Sequence, residues 1–385
     1  MENAALWRKC AAIQGELVKM RRALHRIPET GERLEKTSAY VISKLEQLGI
    51  PYVRSGRDSA IAAHIRGSRS GKRIILRADM DALPIREETG ASYASEHDGF
   101  MHACGHDVHM TVVLMAAELL AEKKDSLKGN VKFVFQPAEE TTGGALPMIQ
   151  EGILENPHAD CCVGLHVRPE LEYGKIICAP GPLMASPDNF YVTFKGKGGH
   201  CATPEQNDDL IAVGLQFKER LSKLKYPKSV VTLCSFQAGD APNVMPSEIR
   251  LSGSFRTFNG DMRCKIASEI REIAENVAGH FGITQRTEIE FLYPPLINDA
   301  KLVKKMQTAA EKVIGEKQVI KTFEPSMLGE DFSYFGQYVP SVYFYLGTNL
   351  PNPPTSLHAD NFDVDERAIE IGAKILAEFV TDYLK

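Results

Sequence analysis

The sequence predicts an α/β protein: a mixed, largely parallel sheet domain into which a smaller ferredoxin-like α+β domain is inserted. Up to residue 166, short apolar runs alternate with segments of helical periodicity, the order that builds parallel sheets. From about residue 189 the order becomes β-α-β-β-α-β, the split arrangement of a ferredoxin-like unit. Beyond residue 300 helices and a strand resume and complete the first domain. With 385 residues, 43% hydrophobic and 25% charged, the chain has ordinary globular composition and the length of two or three domains.

Residues 3–27 carry Leu6, Ile13, Leu17, Met20, Leu24 and Ile27 at helical spacing and stop at Pro28. A second helix spans 32–48, closed by Gly49. Strands are expected at 52–55 and 61–66. The near-continuous apolar run 73–78 forms a strand that delivers Asp79 and Asp81 to its carboxyl end. Helix 108–121 follows, then a buried strand over 129–136 leading to Glu139 and Glu140. A helix at 144–151 precedes a strand at 160–165 that ends at His166. The inserted domain reads as strand 189–196, helix 206–223, strands 229–236 and 248–256, helix 260–281 and strand 286–292. Helices 300–315 and 366–384 flank a strand at 341–346. Residues 1–185 and 296–385 thus form one discontinuous domain and 186–295 the insertion. The hinges fall in the Gly/Pro-rich stretch 179–187 and around Pro294-Pro295.

The net charge of −5 lacks the basic excess of a nucleic-acid binder. No run of about 18 apolar residues is present, so no membrane partner is expected. The N-terminus has no signal-peptide core. Eight cysteines without paired spacing suit a reduced, cytoplasmic protein.

Chemistry concentrates in residues 99–109, Gly-Phe-Met-His-Ala-Cys-Gly-His-Asp-Val-His. Glycines let the backbone turn Cys104 and His106 toward one point just before a helix, and thiolate and imidazole bind Zn, Mn or Ni class ions. Two residues close no metal site, so further ligands must come from elsewhere. In parallel sheets ligands gather beyond the carboxyl ends of the strands, where Asp79, Asp81, Glu139, Glu140 and His166 are expected. Each has a plainer reading: an adjacent Glu pair is commonly solvated, a His in an apolar strand is commonly a core residue, and His358 alone would be a surface histidine. Their convergence favours a metal centre, with one glutamate binding metal and its neighbour acting as general base. His102, Asp107 and His109 are expected to support or pack.

The chain resembles the M20 metallopeptidase superfamily, in its branch of aminoacylases, hippurate hydrolases and plant auxin-conjugate hydrolases. The matching motifs are Arg-Ala-Leu-His-Arg-Ile-Pro-Glu (22–29), Leu-Arg-Ala-Asp-Met-Asp-Ala-Leu-Pro (76–84), Met-His-Ala-Cys-Gly-His-Asp (101–107), Phe-Gln-Pro-Ala-Glu-Glu (135–140), Gly-Leu-His (164–166), Gly-Gly-His (198–200), Asn-Val-Met-Pro (243–246), Gly-Glu-Asp-Phe-Ser (329–333) and Leu-His (357–358). The resemblance implies two divalent metal ions, Mn or Zn with Co or Ni as alternatives, on Cys104, His106, Glu140, His166 and His358. Glu139 would be the general base and Asp81 the orienting aspartate. Asp79 stands where related branches carry a metal-binding His and is not counted as a ligand. His200 would reach the scissile carbonyl oxygen, and Asn243 and Arg256 the substrate carboxylate, although Arg256 also reads as an exposed strand residue. The inserted domain would be a lid and the interface of a homodimer.

The implied activity is hydrolysis of N-acyl amino acids, N-acetyl or aromatic acyl, to a carboxylic acid and a free amino acid. The alternatives are a dipeptidase or carboxypeptidase with the same centre, or a metal- or ligand-binding protein without turnover. The segment 201–210 departs from the family pattern: Glu205, Asn207 and Leu210 stand where His, Gly and Pro are usual. Glu205 adds negative charge on the expected substrate side of the lid.

Overall fold

The computed structural model describes residues 14–54, 59–350 and 355–385. In chain order the elements are α1 (Gln14–His25), α2 (Glu35–Gln47), β1 (Tyr52–Arg54), β2 (Ile61–Arg66), β3 (Arg69–Asp79), α3 (His106–Ala121), β4 (Lys128–Gln136), α4 (Ala145–Gln150), β5 (Cys161–Arg168), β6 (Ile176–Ile177) and β7 (Gly181–Met184). They continue with β8 (Ser186–Lys195), β9 (Gly199–His200), α5 (Leu210–Leu221), β10 (Ser229–Ala238), β11 (Val244–Met245), β12 (Glu248–Thr257), α6 (Gly260–Phe281), β13 (Thr284–Glu290) and β14 (Leu296–Asn298). The last are α7 (Ala300–Ile314), β15 (Val319–Ile320), α8 (Phe335–Tyr338), β16 (Ser341–Gly347) and α9 (Ala368–Tyr383). The part of the predicted first helix before residue 14 lies outside the described residues.

The chain divides into two compact units. The larger comprises 1–181, 297–324 and 334–385, and the smaller 182–296 and 325–333. The segment 325–333, expected in the larger domain, clusters with the smaller one. Its backbone pairs there: Ala185 N donates to the carbonyls of Ser326 and Leu328 over 3.1 and 2.9 Å.

In the larger unit eight strands form one sheet in the order β1-β2-β4-β3-β5-β16-β6-β15. Its centre, β4-β3-β5-β16, is parallel, and β1, β2 and β6 join antiparallel to their inner neighbours. Ile74, Leu76 and Ala78 of β3 face the main core while Arg77 and Asp79 take the opposite face, as the two-residue period of a strand requires. Helix α3 is buried on nearly every side, because it packs against α1, α2 and α9 as well as the sheet; an all-round apolar helix must be buried.

The smaller unit is an antiparallel sheet, β10-β12-β8-β13, with α5 and α6 on one face. Phe190, Phe194, Ile249, Leu251 and Phe255 meet Phe217, Ile266 and Ile270 in a separate core. The strand–helix order and strand arrangement are those of a ferredoxin-like unit. Helix α5 begins at Leu210, four residues later than the sequence suggests. The Asp209 carboxylate accepts from Ala212 N over 3.0 Å and so sets the helix start, and Leu210 enters the core.

Candidate metal centre

Three loops and one strand assemble the site. After β3, Met80 N donates to Gln136 O over 2.8 Å, which ties the end of β3 to the end of β4. Asp81 then lies against the turn that follows β4. There Ala138 adopts φ +63°, a left-handed conformation costly for a residue with a Cβ. Asp81 secures that turn: its two carboxylate oxygens accept from Glu139 N and Glu140 N, each over 3.0 Å. The adjacent glutamates are thus held through their backbone amides.

The second loop ends at Gly105, with φ +84°. A Cβ there would lie 2.4 Å from Val167 Cγ2, so both conformation and space require glycine. The turn buries Cys104 and starts α3 at His106. The third loop brings His358, held at φ +61° with its N–H donating to Ala103 O over 2.9 Å. His166 comes from within β5. That strand continues to Arg168, so His166 sits two residues before the strand end, not at it.

The five predicted ligand residues meet. Cys104 Sγ is 3.3 Å from both His166 Nε2 and His358 Nε2, and His358 Nε2 is 3.2 Å from Glu140 Oε1. His106 Nε2 is 3.8 Å from Glu140 Oε1. Donor atoms of Cys104/His106/His166, of Cys104/Glu140/His358 and of His106/Glu139/Glu140 cluster within 4.8 Å of one another in each group. The first two groups share Cys104, an arrangement that can serve two neighbouring cations.

The electrostatics call for positive charge. Burial pushes the Cys104 thiol well above its usual range, and the carboxylates of Glu140 and Glu139 add to it. Burial opposes charge on His106, but Asp79, Asp81 and Glu140 overcome it and raise its pKa to about 10. His166, buried and beside His109, is driven down to about 3, which favours the neutral imidazole that binds metal. Both ring nitrogens of His106 are buried without a hydrogen-bond partner; the nearest carboxylate oxygens to Nδ1 and Nε2 stand 3.6 and 3.8 Å away. A divalent cation held here would satisfy the His106 nitrogens and reverse the cost of the Cys104 thiolate.

Asp79 is engaged elsewhere. Its oxygens take Arg77 Nη1 and His109 Nδ1, each over 2.6 Å, while His109 Nε2 accepts from Val167 N over 2.9 Å. Asp107 supports from below: Oδ2 takes Arg21 Nε at 2.8 Å and His25 Nδ1 at 2.7 Å. His102 is buried beside His25, and burial lowers its pKa to about 3.

Arg21 was not singled out by the sequence reading, nor was Arg77, and His25 appeared only as part of a motif. A signal existed for α1: Leu17, Arg21, Leu24 and His25 fall on one buried helical stripe, so a charged residue shares the apolar face. Arg21 also binds Asp363 Oδ1 at 3.1 Å and Glu366 Oε1 at 3.3 Å. It thereby couples α1, the start of α3 and the segment that follows His358.

His200, Asn243 and Arg256 belong to the smaller unit. His200 pairs with Val244 across β9 and β11, and its Nδ1 accepts from Ala202 N over 3.1 Å. Asn243 O accepts from Cys201 N over 3.1 Å, so these two candidates are close neighbours. Arg256 lies on β12, half-buried, with its guanidinium donating to Met327 O. In the atypical segment, Asn207 Nδ2 donates to Thr203 O over 2.9 Å and Glu205 is exposed.

The family model for peptidase family M20/M25/M40 matches residues 75–382. The N-acetyl-L-cysteine deacetylase of Bacillus subtilis (strain 168) is 35% identical over 93% of this chain and 86% of its own length. The N-acetyldiaminopimelate deacetylase of Streptococcus uberis is 35% identical over 96% and 99%, and thermostable carboxypeptidase 1 of Saccharolobus solfataricus 32% over 94% and 93%. A crystal structure from Bacillus subtilis, described as a dinuclear metal binding peptidase from the M20 family, superposes with a TM-score of 0.88 at 32% identity, covering 97% of this chain and 99% of that one. The chain belongs to peptidase family M20/M25/M40 and is a metal-dependent amidohydrolase.

Proposed function

We propose that this protein hydrolyses N-acyl amino acids to a carboxylic acid and a free amino acid. The observation that carries this reading is the meeting of Cys104, His106, Glu140, His166 and His358 beside Glu139. The deacetylase relatives support the substrate class.

Cys104, His106, Glu140, His166 and His358 would hold two divalent ions, Mn or Zn, and His106, with both buried nitrogens unpartnered, fits that role. When bound, such ions supply a water of lowered pKa and polarise the amide carbonyl. Glu139 takes the proton of the attacking water and returns it to the departing amine. Asp81 keeps Glu139 and Glu140 in register by gripping both backbone amides. His200 supports the negative oxygen of the tetrahedral intermediate. Asn243 and Arg256 bind the substrate carboxylate, for which Arg256 would exchange its backbone partner.

A homodimer through the smaller unit is supported by exposed Ile211 and Leu215 on α5 and by β10 at the sheet edge with Val230 and Phe236 partly exposed. A cytoplasmic location is supported by the buried free thiols of Cys161, Cys162 and Cys178, which suit a reducing compartment. The carboxypeptidase relatives favour a second reading, cleavage of small peptides by the same centre.

The test is amine release from a panel of N-acetyl and N-benzoyl amino acids and dipeptides. Stripped enzyme reloaded with Mn or Zn is compared with Glu139→Gln, and metal content is measured in both. Turnover that requires both metal and Glu139 is expected, and the preferred substrate decides between the two readings. Full activity in Glu139→Gln would refute the mechanism.

A further inference from the structure

Arg168 stands two residues beyond His166 on β5. Residues i and i+2 of a strand share a face, so its side chain leaves the sheet on the same side as His166. Its guanidinium carbon lies 4.9 Å from the ring centre of Phe323 and 5.0 Å from that of Tyr345. Tyr345 is the register partner of His166 on β16, one strand spacing, about 4.8 Å, away. All four residues belong to the larger unit.

Three other guanidinia of that unit, those of Arg21, Arg22 and Arg77, are occupied. Arg21 serves Asp107, Asp363 and Glu366, Arg22 serves Glu366, and Arg77 serves Asp79 and Gln136. Arg168 differs. Among the described residues its side chain donates no hydrogen bond. The one carboxylate near it, Glu170, stands 3.7 Å from Nε, beyond hydrogen-bonding range, on a side chain 56% exposed. Arg168 itself keeps 27% of its side-chain surface open to solvent.

Packing against two rings restricts the guanidinium plane while its in-plane N–H groups remain available, and that fork matches a carboxylate bidentately. A metal centre built around His166 would bring a small substrate within reach of it. We infer that Arg168, positioned by Phe323 and Tyr345, forms a subsite for a second substrate carboxylate, additional to the one adjacent to the scissile amide. The inference rests on the amidohydrolase reading and extends it to acidic substrates. The extra carboxylate belongs either to the amino-acid side chain or to the acyl group.

Two near-isosteric pairs distinguish those sources: N-acetyl-glutamate against N-acetyl-glutamine, and N-succinyl-methionine against its succinamoyl analogue. Each is assayed with the metal-loaded wild type, Arg168→Met and Arg168→Lys. In one pair the wild type should favour the charged member in kcat/KM by about tenfold or more, the scale of a charge-assisted hydrogen bond. Arg168→Met should erase that preference by slowing the charged member alone, and Arg168→Lys should restore part of it. No charged preference in either pair, or an equal loss on both members in Arg168→Met, overturns the subsite and leaves the amidohydrolase reading intact. If none of the four is turned over, calorimetric binding of glutarate to the metal-loaded enzyme decides. Weakening in Arg168→Met by about tenfold supports the subsite, and equal binding or no binding to the wild type refutes it.

Discussion

The loops of the larger unit that carry the candidate metal ligands and the β9–β11 segment of the smaller one hold their candidate residues in opposite ways. In the larger unit buried side chains do the holding. Asp81 clamps the glutamates, Asp79 holds His109 with help from the Val167 backbone N–H, and Arg21 fastens Asp107. Most of these groups are buried, where each is costly unless paired or occupied by an ion. His200 and Asn243 instead sit on exposed backbone beside a two-residue ladder, with the Asn243 carbonyl accepting from Cys201 N as a further restraint. The first region can therefore be tested through stability and metal retention, whereas the second should respond only in turnover.

The comparison is broken most directly at Glu139. Glu139→Gln should lower kcat by about 10²–10⁴-fold, the usual contribution of a general base, with metal content by elemental analysis unchanged. Loss of metal together with activity would instead make Glu139 a ligand. His200→Ala should lower kcat by about 10²–10³-fold, the scale of a lost oxyanion donor. Its unfolding midpoint should stay with that of the wild type, because the residue is exposed. A large stability loss there would erase the contrast between the two regions.

Arg21→Leu tests the opposite pattern. It leaves Asp107 buried without its guanidinium partner, which should cost about 3–5 kcal/mol in denaturant unfolding of the metal-free protein. Gly105→Ala should cost about 1–3 kcal/mol from overpacking against Val167, and Val167→Ala should recover part of it. Recovery would show that space, and not only the left-handed backbone, dictates glycine there.

A pH-dependent effect belongs to the larger unit away from the candidate metal centre. Burial, with Lys132 and Arg66 nearby, lowers the pKa of His64 to about 4. Its folded pKa is below the unfolded value of about 6.5, so the unfolded chain binds the extra proton first. Its contribution to stability is complete above about pH 6.5 and declines as the pH falls toward about 4. His64→Gln should flatten that part of the wild-type stability profile, measured by denaturant unfolding at several pH values. An unchanged slope would rule His64 out as its source.

Much of this architecture was legible before any coordinates. A short apolar run located β2 and apolar periodicity located α6 at their observed bounds, because a buried strand reads as a continuous apolar stretch and a long amphipathic helix repeats at its own period. The start of α5 was less legible, since the decisive contact is a single Asp209 cap. The membership of 325–333 in the smaller unit was hidden as well, because it depends on pairing with Ala185, more than a hundred residues earlier in the chain. At the site, the residue types and order of Cys104, His106, Glu139, Glu140, His166 and His358 were readable as metal chemistry. Arg21 and Arg77 were not, because a buried cation is recognisable only by the carboxylates folded around it.

The sequence by itself determined the element order, the donor types and the glycine at 105, all of which are local or periodic properties. Tertiary structure alone decided which donors share a cluster, which carboxylates are already claimed and which guanidinium keeps its fork open. Asp79 and Asp81 are two residues apart and chemically identical, yet one is held by Arg77 and His109 while the other grips the backbone of Glu139 and Glu140. The physical reason is that charge and hydrogen-bonding partners come from strands and loops far apart in the chain, and their distances exist only after folding.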